Sequence, residues 1–300
     1  NNKVFLVIAI LFIVMILVDF VFNFTGILRE NFGIFNVEET ASNIVEQIKQ
    51  SNNNSVNNNV NNSSDDYINY FWKVGGLASI NTTGTITGIV SANAAAGVSV
   101  VKYIGNNTSG ATIGHGLSAA PEMMIVKRLD SSGDWDVYHS SLGATKYMIL
   151  DTNQAVLTAS NIWNDTAPTS TVFSVGNHAS VNASGGSYIA YLFTSITGFC
   201  SIGSYTGNNP TAVSVNLGFN PDLLIVKNTT NAADWTTYDK QRSPTGNFDD
   251  IIYLNLTDAQ ATTGGNWATP TATGFTTNSS GGSLVNENGS TFAYIAFKQN

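Results

Sequence analysis

The feature that most constrains this chain is that it repeats itself. Pro121–Lys127 (PEMMIVK) is answered by Pro221–Lys227 (PDLLIVK), Asp134-Trp135 by Asp234-Trp235, and Tyr138 by Tyr238, all at an offset of 100. The correspondence runs on in order to either side. Tyr103-Ile104-Gly105-Asn106-Asn107 matches Tyr205-Thr206-Gly207-Asn208-Asn209, and Leu150-Asp151 matches Leu254-Asn255. Trp163, Pro168 and Phe173 match Trp267, Pro270 and Phe275; Val181-Asn182 matches Val285-Asn286; YIAYLF ending at Phe193 matches FAYIAF ending at Phe297. Ordered matches over ~100 residues mark a tandem duplication. Whatever one copy folds into, the other must be able to form as well.

The repeated unit reads as strands. MMIVK and LLIVK are short apolar runs with proline on one side and a polar turn on the other. Trp135 and Val137 fall on one face of a strand, Asp136 and Tyr138 on the other. NNTSG, DSSGD and NASGG supply turn residues between such runs. No helical periodicity continues past Gln50. The expected fold class is all-β, with two tandem β-sandwich or jelly-roll-like repeats over residues 83–197 and 198–300. Thr83–Ala94 adds a leading strand or links the first copy to what precedes it. The pattern fits two separate beads and a single pseudo-twofold body equally well.

Ahead of the repeats lies a segment of another kind. Val4–Val18 has no polar side chain, and Asp19 is followed by Phe20, Val21 and Phe22. Nineteen residues at ~1.5 Å rise span roughly 28 Å, close to the hydrocarbon thickness of a bilayer. The run is long for a signal peptide and lacks a small-residue cleavage site after it. Residues 1–30 are therefore expected to form a membrane anchor, with Val4, Phe5, Leu6, Leu11, Phe12, Leu17, Phe20 and Phe22 meeting lipid. The same helix packed against its own copies in a protein core is the rival. Residues 31–50 read as an amphipathic helix: Asn36 caps it, Glu39 follows three residues on, and Val37, Ala41, Ile44 and Ile48 form its apolar stripe. Residues 51–82 are an Asn-rich spacer with too little apolar surface to offset its ordering entropy.

The search for chemistry yields little. Charged residues make up 11% of the 300 and the formal charge is −8, with no Lys/Arg cluster to neutralise phosphates, so no nucleic-acid partner is expected. Cys200 is the single cysteine, which rules out an intrachain disulfide. His115, His139 and His178 lack zinc-site spacing, and the second copy has Val215 and Asp239 where the first has His115 and His139. No nucleophile elbow, P-loop or dinucleotide fingerprint appears. No catalytic residue, no cofactor and no resident metal are expected. Asp130, Asp134 and Asp136 crowd one turn and offer the oxygen ligands calcium takes, but the second copy keeps only Asp234 of the three. Trp135, Trp235, Tyr138 and Tyr238 recur and are the candidates for stacking on a host-surface glycan; recurrence also suits core packing. Sequons stand at Asn23, Asn81, Asn107, Asn164, Asn182, Asn228, Asn255 and Asn288.

GHGLSAAPEMMIVK, DWDVYHSSLGATKYMIL, WNDTAPTSTVF and VNASGGSYIAYLF, together with the run from Gly97 to Tyr103, resemble a repeated domain of unknown function. It is found in structural proteins of marine bacteriophages, tail and appendage proteins among them. The resemblance covers about residues 84–298 and is tighter in the first copy. It implies a non-enzymatic virion component (a spike, fibre or minor capsid protein) that assembles with itself and with other virion subunits and faces outward. The hydrophobic helix departs from tailed-phage fibres. It points to a virus with a membrane beneath its capsid, or to a cellular surface filament carrying the module. The alternatives are a pilin-like extracellular filament subunit, against which Gly26 and Gly33 interrupt the helix, and a carbohydrate-binding surface adhesin.

Overall fold

The computed structural model describes residues 70–243, 246–262 and 267–299. The expected anchor and amphipathic helix, and residues 51–69 of the spacer, lie outside them. In chain order the first copy contains β1 (Ser79–Asn81), β2 (Gly88–Asn93), β3 (Val98–Ile104), β4 (Ala111–Gly114), β5 (Met123–Arg128), β6 (Trp135–His139), β7 (Lys146–Ile149), β8 (Leu157–Thr158), α1 (Ser160–Trp163), β9 (Val172–Val175), α2 (Ala179–Asn182) and β10 (Ser187–Phe193). The second contains β11 (Cys200–Thr206), β12 (Ser214–Asn216), β13 (Leu223–Asn228), β14 (Thr236–Asp239), β15 (Asp250–Tyr253), β16 (Ala261–Thr262), β17 (Ala268–Thr271), β18 (Gly274–Thr277), α3 (Gly282–Val285) and β19 (Thr291–Phe297). The described residues are mostly β, as the sequence predicts for the two repeats.

Each copy has a large antiparallel sheet and a small one. The large sheets run β1-β2-β3-β10-β5-β6-β7-β8 and β11-β19-β13-β14-β15-β16; the small ones are β4-β9 and β12-β18-β17. Alternation along the strands decides what lies between them. In the first copy Val101, Tyr103, Met124, Val126, Tyr188, Ala190 and Leu192 from the large sheet meet Ala111, Ile113, Phe173 and Val175 from the small one. In the second, Tyr205, Leu224, Val226, Phe292 and Ala296 meet Ala268 and Phe275. Leu, Val or Phe side chains buried in this way stabilise by about 1.5–3 kcal/mol each.

The other face of each large sheet is apolar too. Ile189, Tyr191 and Phe193 on β10, and Ala293, Ile295 and Phe297 on β19, are all buried. A strand apolar on both faces needs cover on both, and here the two large sheets cover each other. Phe193 and Phe297 meet edge to face at 6.0 Å, and Trp72 closes the same end, 6.2 and 5.4 Å from their rings. The Trp235 indole N–H donates to the Ile149 carbonyl at 2.9 Å, the Ala233 amide to Asn153, and the Val156 amide to Thr229. Residues 72–300 thus form one compact unit, layered small sheet, large sheet, large sheet, small sheet.

The copies differ at their margins. The segment Thr83–Ala94, expected to lead or link, supplies β2, and with β1 it forms a hairpin that extends the first large sheet. Among the described residues the second copy has no such hairpin; β17 instead widens its small sheet.

Candidate functional site

The recurrent polar residues are spent on holding loops. The Tyr103 hydroxyl donates to the Val181 carbonyl and the Tyr205 hydroxyl to Val285, both at 2.7 Å. Each ring stacks on its neighbour, Tyr188 or Phe292, at 5.1 Å, and burial pushes both phenol pKa values well up. Asn182 lies one residue past Val181 and is fully buried. Its amide donates to Thr108 and Gly176 carbonyls while its oxygen accepts from the Asn106 amide. Asn286 repeats this with Thr211, Asn278 and Asn208. Gly105 and Gly207 are required beside these ties, since a Cβ there would strike the carbonyl of Ala183 or Glu287. Asp151 and Asn255 likewise accept the Trp135 and Trp235 amides at 3.0 and 2.7 Å.

The stacking candidates are mostly interior. Trp235, Tyr138 and Tyr238 are 2%, 3% and 0% exposed. Trp135 is half-buried with the Lys127 ammonium 5.8 Å from its ring centroid. Trp163 is wholly buried against Tyr138, and Trp267 is partly buried against the second core.

The three aspartates proposed as calcium ligands go separate ways. Asp130 pairs with Arg128 at 2.8 Å. Asp134 stays exposed. Asp136 is 1% exposed on β6. Among the described residues no group of three or more His, Cys, Asp or Glu side chains is placed to hold a metal. Burial pushes the Asp136 carboxyl up to about 7, against a hydrogen bond with Ser180 that lowers it and with the charges of Asp134 and Asp151 adding to the rise. Its Oδ2 is buried without a hydrogen-bond partner among the described residues.

The histidines serve the backbone. His115 Nδ1 accepts the Leu117 amide and its Nε2 faces the Thr169 carbonyl; His139 Nδ1 accepts from Ser141 while Nε2 faces Tyr294 of the second copy. Both arrangements fix the neutral tautomer with the proton on Nε2, and burial lowers both pKa values. His178 caps α2 by accepting from Ser180. Cys200 is buried, as expected of a small hydrophobe, and its thiol pKa is pushed up. Of the sequons, Asn182 and Asn228 are fully buried with their amide nitrogens engaged.

What sequence reasoning missed is a surface. Ile80, Ile89 and Lys102 lie side by side across β1, β2 and β3 on the outer face of the first large sheet. Ile104 follows on β3; Leu129, whose amide bonds to Ser187, lies across β10 from it. The four apolar side chains are 75%, 48%, 51% and 45% exposed. Strand alternation alone marks Ile89, Lys102 and Ile104, but not that this part of the face stays uncovered. On the opposite side of the same hairpin an open groove of about 450 Å³ runs past Leu77, Asn81, Thr83, Val90 and Gly116. Among the described residues no helix is long and apolar enough to cross a membrane; Val4–Phe22 is not among them.

Comparison with curated proteins and with solved structures finds no match. A family described as a domain of unknown function, DUF7483, matches residues 16–300. The match takes in both copies and begins well upstream of them, so the family's unit is the pair with its N-terminal approach and not a single repeat. The chain belongs to the DUF7483 family.

Proposed function

We propose that this protein is a non-enzymatic structural component of a virion surface, a spike, fibre or minor capsid subunit, that displays a double β-sandwich for assembly or host attachment. The observation that carries the reading is the strip of Ile80, Ile89, Ile104 and Leu129. Grouped, exposed apolar side chains of this kind mark contact surfaces between subunits. The use of the recurrent Tyr and Asn side chains, and of the first copy's histidines, as loop ties supports it, as does the resemblance of the repeat sequence to phage structural proteins. Residues 4–22 serve as the attachment to a membrane or to a bundled core, and the partners are further copies, other virion subunits and a host-surface glycan.

The test is location. Particles purified from an infected host and labelled with gold-conjugated antibody against residues 72–300 should carry label on their outer surface, with the protein co-purifying at constant ratio to the capsid. Recovery of the protein only from uninfected cells contradicts the proposal.

A further inference from the structure

Natural sheets blunt their edges, because an unpaired strand is a template for another chain. Three of the four edges of the large sheets obey this rule by being short: β1 has three residues, β8 and β16 two each. The fourth, β11, has seven. In the first copy the equivalent strand, β3, is covered by β2, which pairs with it from Val98 to Tyr103. Among the described residues the second copy has no counterpart of β2. The chain reaches β11 directly from β10, and among the described residues no strand fills that position.

The open stretch can be located by its hydrogen bonds. Phe199 and Gly207 bond towards β19, so the odd-numbered residues face inward and the even-numbered ones outward. Cys200 is closed off by a two-way pairing with Ile196, and the Ile202 amide donates to the Ser195 hydroxyl at 3.1 Å. The Ile202 carbonyl and the amides and carbonyls of Ser204 and Thr206 remain unpaired among the described residues. Ser204 and Thr206 are exposed.

We infer that the β11 edge is a pairing site for β11 of a second copy of this chain, antiparallel about a twofold axis through Ser204. Charge favours a second copy as the occupant. The chain carries −8, and like-charged molecules associate most easily through a neutral strip. Thr194–Pro221 contains no charged residue, and none of the Lys, Glu or Pro that guards natural edges lies on β11. Register favours it too. The twofold places Ser204 opposite Ser204 and Ile202 opposite Thr206. Each Ser204 amide then donates to the other's carbonyl, and each Thr206 amide to the partner's Ile202 carbonyl, using every open group except the Thr206 carbonyls. The two second-copy sheets would run on as one. This surface is distinct from the apolar strip of the first copy and does not depend on the protein's place in a virion.

Cysteine cross-linking of the full-length chain tests both contact and register. Directly opposed residues have Cα atoms about 5.5 Å apart, within disulfide reach, whereas the two copies of a position two residues from the axis are about 14 Å apart. Ser204→Cys should therefore give a covalent dimer under mild oxidation, in about tenfold excess over Thr206→Cys, which is also exposed but out of register. Circular dichroism confirms that both variants fold. Cross-linking at neither site, or equally at both, overturns the inference. Ser204→Lys provides a thiol-free arm: its weight-average mass by sedimentation should fall below that of the wild type in the same buffer, and an unchanged mass counts against the edge.

Discussion

The two copies keep the same loop ties and differ in what surrounds them. Tyr103 and Asn182 in the first do what Tyr205 and Asn286 do in the second, to within about a tenth of an ångström per hydrogen bond for most of them. By contrast, positions that face the other copy or the margin have diverged. Lys127 holds the Gly133 carbonyl on the exposed side, while Lys227 is wholly buried and donates to Ala233 and to Asn153 of the first copy. His139 contacts the Tyr294 carbonyl of the second copy, whereas Asp239 binds Arg242. The lesson is that a duplicated β unit is defined by the side chains that fix its loops. Faces and edges are free to specialise once the copies stack.

The largest test of this comparison is at the paired tryptophans. Trp235→Ala removes a side chain buried between the sheets together with its bond to Ile149, and should cost about 3–5 kcal/mol. Trp135→Ala, at the equivalent but half-buried position, should cost ~1 kcal/mol. Urea denaturation of both variants measures the gap; equal losses would mean that the inter-copy face does not distinguish them.

Next come the asparagine ties. Asn182→Ala and Asn286→Ala each strip a buried network of three hydrogen bonds, taking the donor from the Gly176 or Thr211 carbonyl and the acceptor from the Asn106 or Asn208 amide, at a cost of about 2–4 kcal/mol. The two losses should agree within about 1 kcal/mol if the ties are equivalent, since the sites share no partner. A chemical melt of each single variant and of the double variant decides it.

Asp136 offers a difference in pH response. Its counterpart is Thr236, whose hydroxyl donates to the Val226 carbonyl at 3.3 Å. The Asp136 pKa in the folded chain, about 7, lies above the unfolded value of about 3.9. Between those values the folded chain keeps a proton that the unfolded chain has released, so this contribution to stability is complete below pH ~4 and is lost as pH rises to about 7. The loss is on the order of 2–4 kcal/mol. Asp136→Thr should remove this fall and leave the opposite trend, a rise in stability from pH 5 to pH 8, because the lowered pKa values of His115 and His139 leave the unfolded chain binding more protons there. Thermal melts across that range decide it: a fall in stability with pH that survives the substitution would contradict the assignment to Asp136.

The smallest effect concerns the lysines. Burial lowers the Lys227 pKa to about 8, below the unfolded value of about 10.4. The folded chain loses this proton first, so stability gains as pH rises between those values. Lys227→Met should remove that gain, while Lys127→Met should shift stability by less than ~0.5 kcal/mol. Denaturation at pH 7 and pH 10 compares the two.

Much of this comparison could be read from residues alone. The duplication, the all-β class and the pairing of Val181-Asn182 with Val285-Asn286 were visible because side chains that fix loops recur at fixed places. Sequence could not say why they recur: the role of Asn182 depends on Asn106 and Gly176 converging in space. Nor could it choose between beads and one body. YIAYLF is apolar on both faces, which demands double cover but does not name the cover. The aspartate cluster shows the limit of proximity in sequence: Asp130 pairs with Arg128 beyond the end of β5 while Asp136, six residues on, is buried on β6. The exposed strip needed the register of β1, β2 and β3, which short strands do not announce.

The central claim is that the two copies fold as one body through the faces of β10 and β19. Native-state hydrogen exchange in rising urea, read separately for amides of Ser187–Phe193 and Thr291–Phe297, tests it most directly. The account predicts that both strands converge on one opening, with the same free energy and the same urea dependence. Exchange of one strand through a separate, lower-energy opening while the other stays protected would contradict it.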